Sequence, residues 1–179
     1  VMVVGTGQVG AILLQLAKAW HAGLVIANDV SDYRLEMARK LGADRIINGA
    51  KEDMMASVME MTEGQGVDVI FVAAAVPALL SSAVNCAAKG GTVLSFAIFN
   101  QDTTVSVVAN RICMDEVSLI GSYSSTPFEY PTVLQLIRSH VIDVDSMVTH
   151  RFPLSKLNEA VRTATDPEER CLKVMITPD

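Results

Sequence analysis

The chain has 179 residues, half of which are hydrophobic and 19% charged, and its formal net charge is −6. This composition suits a buried α/β core and argues against a disordered chain. Without a basic run interleaved with aromatic residues, or an apolar stretch of ~20 residues, we expect neither a nucleic-acid nor a membrane partner. Three widely separated cysteines predict reduced thiols in a cytoplasmic protein rather than a disulfide framework.

The first predicted elements are a strand at residues 1–4, a glycine-rich turn and an apolar-periodic helix at residues 11–20. The turn reads Gly5-Thr6-Gly7-Gln8-Val9-Gly10. In a dinucleotide-binding βαβ unit, the first glycine permits a tight turn, the second lets a pyrophosphate approach the backbone, and the third lets the helix pack closely on the strand. The helix N-terminus offers free N–H groups and a positive dipole end to the phosphates. We therefore interpret this segment as a dinucleotide-binding turn.

An acidic residue follows the second predicted strand, residues 24–28. Asp29 lies about 20 residues beyond the second glycine, the spacing at which an acid hydrogen-bonds a ribose 2′-hydroxyl. The alternative role is a helix N-cap, for which Ser31 and Asp32 are better placed. Because a carboxylate repels a 2′-phosphate, Asp29 predicts NAD rather than NADP as the cofactor. Arg34, five residues later, could attract a phosphate, but the Asp29 carboxylate would still repel it.

Helices and strands alternate through the next part of the chain. In chain order we predict a helix at residues 31–41, a strand at 44–47, a helix at 51–62, a strand at 67–72, a helix at 77–88, a strand at 92–96, a short extra strand at 105–107 and a strand at 116–120. The pair Gly90-Gly91 is expected to end the helix that starts at Pro77. Leaving aside the short extra strand, six strands with five crossovers predict a doubly wound parallel sheet of the Rossmann type over residues 1–123.

The chain changes character after Gly121, where a turn-forming Ser-Ser-Thr-Pro segment follows. Beyond it we predict a helix at residues 131–139, a strand at 147–152, a helix at 155–165 and a strand at 171–176. A complete six-stranded sheet has no need of these elements, so residues 124–179 are interpreted as part of a second domain. The chain also begins directly in a core strand, and we therefore expect it to be a fragment of a longer polypeptide.

Several segments together resemble one family, the medium-chain, zinc-type alcohol dehydrogenases, on the branch with sorbitol and threonine dehydrogenases. The segments are the Gly5–Gly10 turn, Asp29 with Arg34, Lys40-Leu41-Gly42-Ala43-Asp44, Gly90-Gly91, Leu119-Ile120-Gly121-Ser122 and Thr149-His150-Arg151-Phe152-Pro153-Leu154. The resemblance implies hydride transfer between NAD(P) and an alcohol or carbonyl carbon. It also implies that zinc is bound by an N-terminal, GroES-like catalytic domain absent from this chain, against which residues 124–179 would pack.

The resemblance assigns cofactor-binding roles to particular residues. Gly7, Gln8 and Val9 would line the pyrophosphate and the back of the nicotinamide ring, Asp29 would hold the adenosine ribose with Arg34 beside it, Ala73 and Ala74 would flank the adenine and the nicotinamide ribose, Phe96 and Ala97 would meet the carboxamide through their backbone, and Lys173 would reach the pyrophosphate. The family usually has glycine where Ala97 stands. We expect no catalytic residue and no metal site within this chain.

Other classes share parts of this pattern. A non-catalytic nucleotide-sensing Rossmann module of the kind that regulates potassium channels, a methyltransferase, and an NADPH-dependent, zinc-free quinone reductase of the same superfamily are the alternatives. The segment from Thr149 to Leu154 favours the dehydrogenase. The resemblance further implies a homo-oligomer that pairs through the sixth strand, at Val117 to Ile120. Sugar alcohols, amino alcohols and simple alcohols all remain open as substrates.

Overall fold

The fold is organised by a six-stranded parallel sheet. The computed structural model describes residues 1–166 and 169–179. Its elements are β1 (Met2–Val4), α1 (Gln8–Ala19), β2 (Ile26–Asp29), α2 (Asp32–Lys40), β3 (Arg45–Asn48), α3 (Met54–Met61), β4 (Val67–Val72), α4 (Pro77–Cys86), β5 (Ala87–Ser95), α5 (Ala109–Cys113), β6 (Ser118–Gly121), α6 (Tyr130–Arg138), β7 (Val148–Pro153), a 3₁₀ turn (Leu154–Lys156), α7 (Leu157–Thr165) and β8 (Lys173–Thr177). The strand order is β3-β2-β1-β4-β5-β6. The predicted doubly wound sheet is therefore confirmed.

The central strand β1 divides the core into two layers. Because side chains alternate across a strand, Met2 and Val4 point to one face and Val3 to the other, and all three are fully buried. Val3 packs with apolar residues of α1 and α2, whereas Met2 and Val4 pack with those of α3 and α4. Both faces of the sheet are thus covered, which explains why its inner strands are mostly apolar.

Helix α4 ends earlier than predicted, because β5 begins directly at Ala87. The expectation that Gly90-Gly91 ends the helix is wrong, since both glycines lie within β5. The pairing of β5 with β4 shifts register between Val67 and Val69. Gly90 has φ of 72°, and a Cβ on Gly91 would lie 2.9 Å from the Ala88 carbonyl oxygen. The glycine pair therefore accommodates an irregularity in the strand.

The predicted strand at 105–107 is also wrong. Val105 and Val107 pack against the core without regular secondary structure, and the sequence pattern missed the short helix α5 that follows. A helix of five residues is too short to show an apolar period. Several element starts differ as well, among them those of α3 and β6. Helix α3 starts at Met54 because the Asp53 side chain accepts from Ala56 N–H, and β6 starts at Ser118 after the left-handed Glu116.

The C-terminal elements lie against helix α1. β7 and β8 form a separate parallel pair with α7 between them in the chain, and Met147 and Leu172 pack with Ala11 of α1. The buried Gln15 side chain also joins the two parts, because its Oε1 accepts from Asp143 N–H at 2.6 Å. These contacts hold the C-terminal elements against α1. The assignment of residues 124–179 to a second domain stays a prediction.

Arg111 supplies a long-range cap for the end of α4. Its guanidinium donates to the carbonyl oxygens of Val84 and Ala87 and forms a 2.6 Å ion pair with Asp115. We expect Arg111→Met to lower the free energy of unfolding by about 2 kcal/mol, because buried carbonyl groups lose a charged donor. Urea titration checks this, with Lys89→Met as the control. Lys89 is 84% exposed and 3.7 Å from the same Asp115, so its loss should cost little. Equal costs would contradict the capping role.

Candidate functional site

A cleft opens at the carboxyl ends of β1, β2 and β4. Its volume is about 640 Å³. β1 pairs with β2 on one side and with β4 on the other. The chain runs from β1 out to β2 and β3 and then crosses back to β4, so the strand order reverses beside β1. Ligands of open α/β sheets bind at such a switch point. Six of the residues with predicted cofactor roles line this cleft: Gly5, Gly7, Asp29, Arg34, Ala73 and Ala74.

The glycine turn borders the cleft, which two of its glycines, Gly5 and Gly7, line. Gly5 has φ of 88°, and a Cβ there would lie 2.7 Å from the Ala74 Cβ, so both conformation and space favour glycine. A Cβ on Gly10 would lie 2.0 Å from the Gly5 carbonyl oxygen, so α1 packs closely on the turn. A Cβ on Gly7 would meet no atom within 4 Å. Because Gly7 lines the cleft, a side chain there would enter space that a ligand could use.

The N-terminus of α1 meets this turn. Gly7 is its N-cap and supplies no side-chain acceptor, and the first turn has no acidic residue. Gln8, Val9 and Gly10 form that first turn. The free N–H groups of a twelve-residue helix therefore lie next to the cleft, an arrangement that suits an anionic group.

Asp29 ends β2 and connects two turns. Its Oδ2 accepts from Thr6 N–H at 2.8 Å and from the Thr6 hydroxyl at 3.2 Å. Its Oδ1 accepts from Val30 N–H at 2.8 Å and from Ser31 N–H at 3.0 Å. The side chain lines the cleft although Asp29 is only 7% exposed. The carboxylate thus holds the glycine turn against the start of the β2–α2 connection.

The lining of the cleft is acidic. The charged residues found among its lining are the cation Arg34 and the carboxylates Asp29, Glu52 and Asp53. The nearby Lys51 ammonium donates to the Asp32 carboxylate at 2.7 Å. This hydrogen bond, and to a smaller extent one from Asn48, lowers the pKa of the Asp32 carboxyl. The cleft therefore presents more negative than positive charge to a ligand.

Six residues with predicted cofactor roles lie outside the lining of this cleft: Gln8, Val9 and Gly10, in the first turn of α1, and Phe96, Ala97 and Lys173. Phe96 and Ala97 follow β5, and both of their N–H groups donate to the Val72 carbonyl oxygen, at 3.0 and 3.1 Å. A carboxamide would therefore have to meet their carbonyl oxygens. Lys173 begins β8 in the two-stranded sheet and pairs with Val148. Its predicted reach to a pyrophosphate stays a prediction, as do the roles of the other site residues.

Sequence reasoning missed several residues of the cleft. Glu52, Asp53 and Met55 come from the β3–α3 connection and α3, and Ser82 and Asn85 come from α4. The signal available was topological, because connections after parallel strands gather at one edge of the sheet. Behind Met55 lies the Cys86 thiol, at 3.7 Å from the thioether sulfur. Burial raises the pKa of Cys86 to about 11, so this thiol is protonated at neutral pH.

Within residues 1–166 and 169–179, no three His, Cys, Asp or Glu side chains gather in a way that could hold a metal ion. Likewise, none of the helices described there has the length and apolar character needed to cross a membrane.

Known proteins resemble this chain along its whole length. The family described as zinc-binding dehydrogenase matches residues 9–139. D-arabitol-phosphate dehydrogenase from Enterococcus avium is 32% identical over 98% of the chain and 49% of the relative. Sorbitol dehydrogenase from Bacillus subtilis is 31% identical over 100% of the chain and 50% of the relative. The chain thus spans about half the length of the curated relatives it matches.

Solved structures agree with these relatives. An Escherichia coli oxidoreductase of unknown specificity superposes with a TM-score of 0.90 at 28% identity, over 99% of this chain and 50% of that one. An alcohol dehydrogenase from Escherichia coli, solved with NADH, has a TM-score of 0.89 at 26% identity, over 98% of this chain and 51% of that one. The matched half of these proteins has the same fold as the chain.

Proposed function

Because the chain belongs to the zinc-binding dehydrogenase family, we propose that it is the NAD-binding part of an alcohol or polyol dehydrogenase. The family match confirms the resemblance predicted from the sequence, and the similar curated proteins are oxidoreductases. It favours a dehydrogenase over a methyltransferase or a nucleotide-sensing channel module. Hydride transfer between NAD and an alcohol or carbonyl carbon is the reaction we propose for the whole protein.

The observation that carries the proposal is Asp29 beside the glycine turn in the cleft. An NAD ribose presents hydroxyl donors that a carboxylate accepts, whereas the 2′-phosphate of NADP would meet like charge. Glu52 and Asp53 add to that charge, and Arg34 alone opposes it among the described cleft-lining side chains. Net negative charge in the cleft therefore supports NAD.

The residues of this chain bind and orient the cofactor in the proposed mechanism. The free N–H groups at the start of α1 would hold the pyrophosphate, which could approach closely at Gly7. Asp29 would orient the adenosine ribose. When bound, the nicotinamide would supply the hydride acceptor or donor, and the carbonyl oxygens of Phe96 and Ala97 would orient its carboxamide.

Zinc, which the family description implies, does not fit the side chains at hand. The described parts of the chain contain no suitable cluster of three ligands, so we assign no step to zinc here. We propose that zinc and the alcohol substrate bind to the half of the protein that this chain does not span, and that residues 124–179 pack against that half. The substrate itself stays open.

We propose in addition that the protein assembles through β6. This strand is at the edge of the sheet, and Leu119 and Ile120 on it are 38% and 46% exposed. An unpaired apolar edge favours pairing with another strand, here from a second copy. The proposed assembly is a dimer or a tetramer. We propose separately that the enzyme is cytoplasmic.

Calorimetric titration of the purified chain with NADH and NADPH tests the cofactor. We expect NADH to bind at least about tenfold more tightly, because the like-charge contact disfavours the 2′-phosphate. Preferential binding of NADPH would instead favour a zinc-free quinone reductase of the same superfamily. Binding of neither nucleotide would contradict a working site in this chain.

A matched variant locates the binding site. Gly7→Val adds a side chain in open space at a backbone φ of −62°, so we expect the melting temperature to stay near that of the wild type. The side chain would enter the cleft, and NADH affinity should fall at least about tenfold by steric exclusion of the pyrophosphate. Unchanged affinity would show that the cofactor does not approach the turn at Gly7.

A further inference from the structure

The carboxylate of Asp29 is fully engaged before any ligand arrives. A carboxylate has about four acceptor positions, and four donors of the protein already meet this one. Two of them belong to Thr6, a residue that is only 1% exposed. A ribose 2′-hydroxyl that donates to Asp29 must therefore replace one of these four donors.

The Thr6 hydroxyl is the donor that can give way. The other three donors are backbone N–H groups, whose directions are fixed by the glycine turn and by the β2–α2 connection. The hydroxyl can rotate about its C–O bond, and its 3.2 Å contact is the longest of the four. Rotation removes its hydrogen from Oδ2 without moving the backbone, and Thr6 N–H keeps its own 2.8 Å hydrogen bond to the same oxygen.

We propose that Thr6 is a specificity-determining residue whose hydroxyl competes with the ribose 2′-hydroxyl for Oδ2 of Asp29. The inference rests on the proposed function, and Thr6 acts through Asp29 as a positioning residue. The competition weakens binding of NADH, because one hydrogen bond must be exchanged for another. NADPH does not gain from the same exchange, because its 2′-phosphate has no hydroxyl to donate and is repelled by the carboxylate.

The test compares Thr6→Val with Thr6→Ser. Valine has nearly the shape of threonine but no hydroxyl, and serine keeps the hydroxyl. For Thr6→Val we expect NADH affinity to rise about fivefold, which corresponds to one net hydrogen bond. NADPH affinity should stay unchanged or fall. Thr6→Ser should keep the wild-type ratio of the two dissociation constants. Thr6→Ala, which also lacks the hydroxyl, should shift the ratio in the same direction.

A ligand control isolates the atom involved. The 2′-deoxy analogue of NADH has no 2′-hydroxyl, so it should bind Thr6→Val and the wild type equally. An unchanged ratio of NADH to NADPH affinity in Thr6→Val would overturn the inference. Equal weakening of the binding of both nucleotides, with a lower melting temperature, is one form of that result and would indicate a purely structural role for Thr6. The wild type could show no preference for NADH while the ratio of the two dissociation constants still shifts in Thr6→Val. That result would overturn the proposed NAD specificity but not the role of Thr6. Binding of neither nucleotide by the wild type would overturn both.

Discussion

Replacing Gly10 with alanine is expected to lower the free energy of unfolding by about 3 kcal/mol. The new Cβ would lie 2.0 Å from the Gly5 carbonyl oxygen, 3.0 Å from its carbon and 3.2 Å from a Val3 methyl group. Backbone atoms cannot rotate away as a flexible side chain can, and Gly5 N–H is held by the Asn28 carbonyl oxygen at 2.8 Å. Helix α1 must therefore move off β1, with loss of core contacts. Urea unfolding measures the cost.

Gly7→Ala is the matched control for this experiment. It makes the same chemical change three residues earlier, at a position where a Cβ meets no atom within 4 Å. Alanine at a helix N-cap should cost less than about 1 kcal/mol. If the two alanine variants unfold at the same urea concentration, close packing of α1 on the turn is not what requires glycine at position 10.

Asp29→Asn is expected to be the second costly substitution, at about 3 kcal/mol. One carboxylate oxygen becomes an NH₂ group, which cannot accept a hydrogen bond. If it replaces Oδ1 it faces the N–H groups of Val30 and Ser31, and if it replaces Oδ2 it faces that of Thr6. Buried donors lose their acceptor, and the link between the two turns is weakened. We also expect the variant to lose most of its preference for NADH over NADPH, because the repelling charge has gone. Unfolding curves and paired nucleotide titrations give the two readouts.

Asp32→Asn serves as the control, because it removes a charge of the same kind three residues away. That side chain is 66% exposed and bonds to Lys51 and Asn48 at the surface. Its loss should change stability little and leave the nucleotide preference as it is. A matching loss of stability in both variants would contradict the structural role of Asp29.

The part of the fold that could be predicted is the part whose signals are local. The glycine spacing and the apolar strands on either side of it predict β1, α1 and β2, and Ser31 caps α2 as expected, by accepting from Arg34 N–H. The end of α4 could not be predicted in this way. It is capped by Arg111, which lies 24 residues beyond Ala87. The sequence therefore suggested the wrong end for that helix.

The candidate site shows the same division. Asp29 stands out by its spacing from Gly7, but its four donors depend on folding. Thr6 occupies a variable position of the glycine motif, and its contact with Asp29 spans 23 residues of sequence. Glu52 and Asp53 reach the cleft only because β3 lies beside β2. Residues that a motif leaves unspecified can be placed only once the strand order is known.

The bridge from Asp29 to both turns has a consequence for the thermodynamics of binding. The two loops that would surround the adenosine are tied together in the free protein, so their backbone loses little freedom when the nucleotide arrives. Preorganised sites avoid the entropic cost of ordering loops during association. We therefore expect nearly equal backbone order parameters for the Gly5–Gly10 turn with and without NADH, and association that fits a single step in stopped-flow traces.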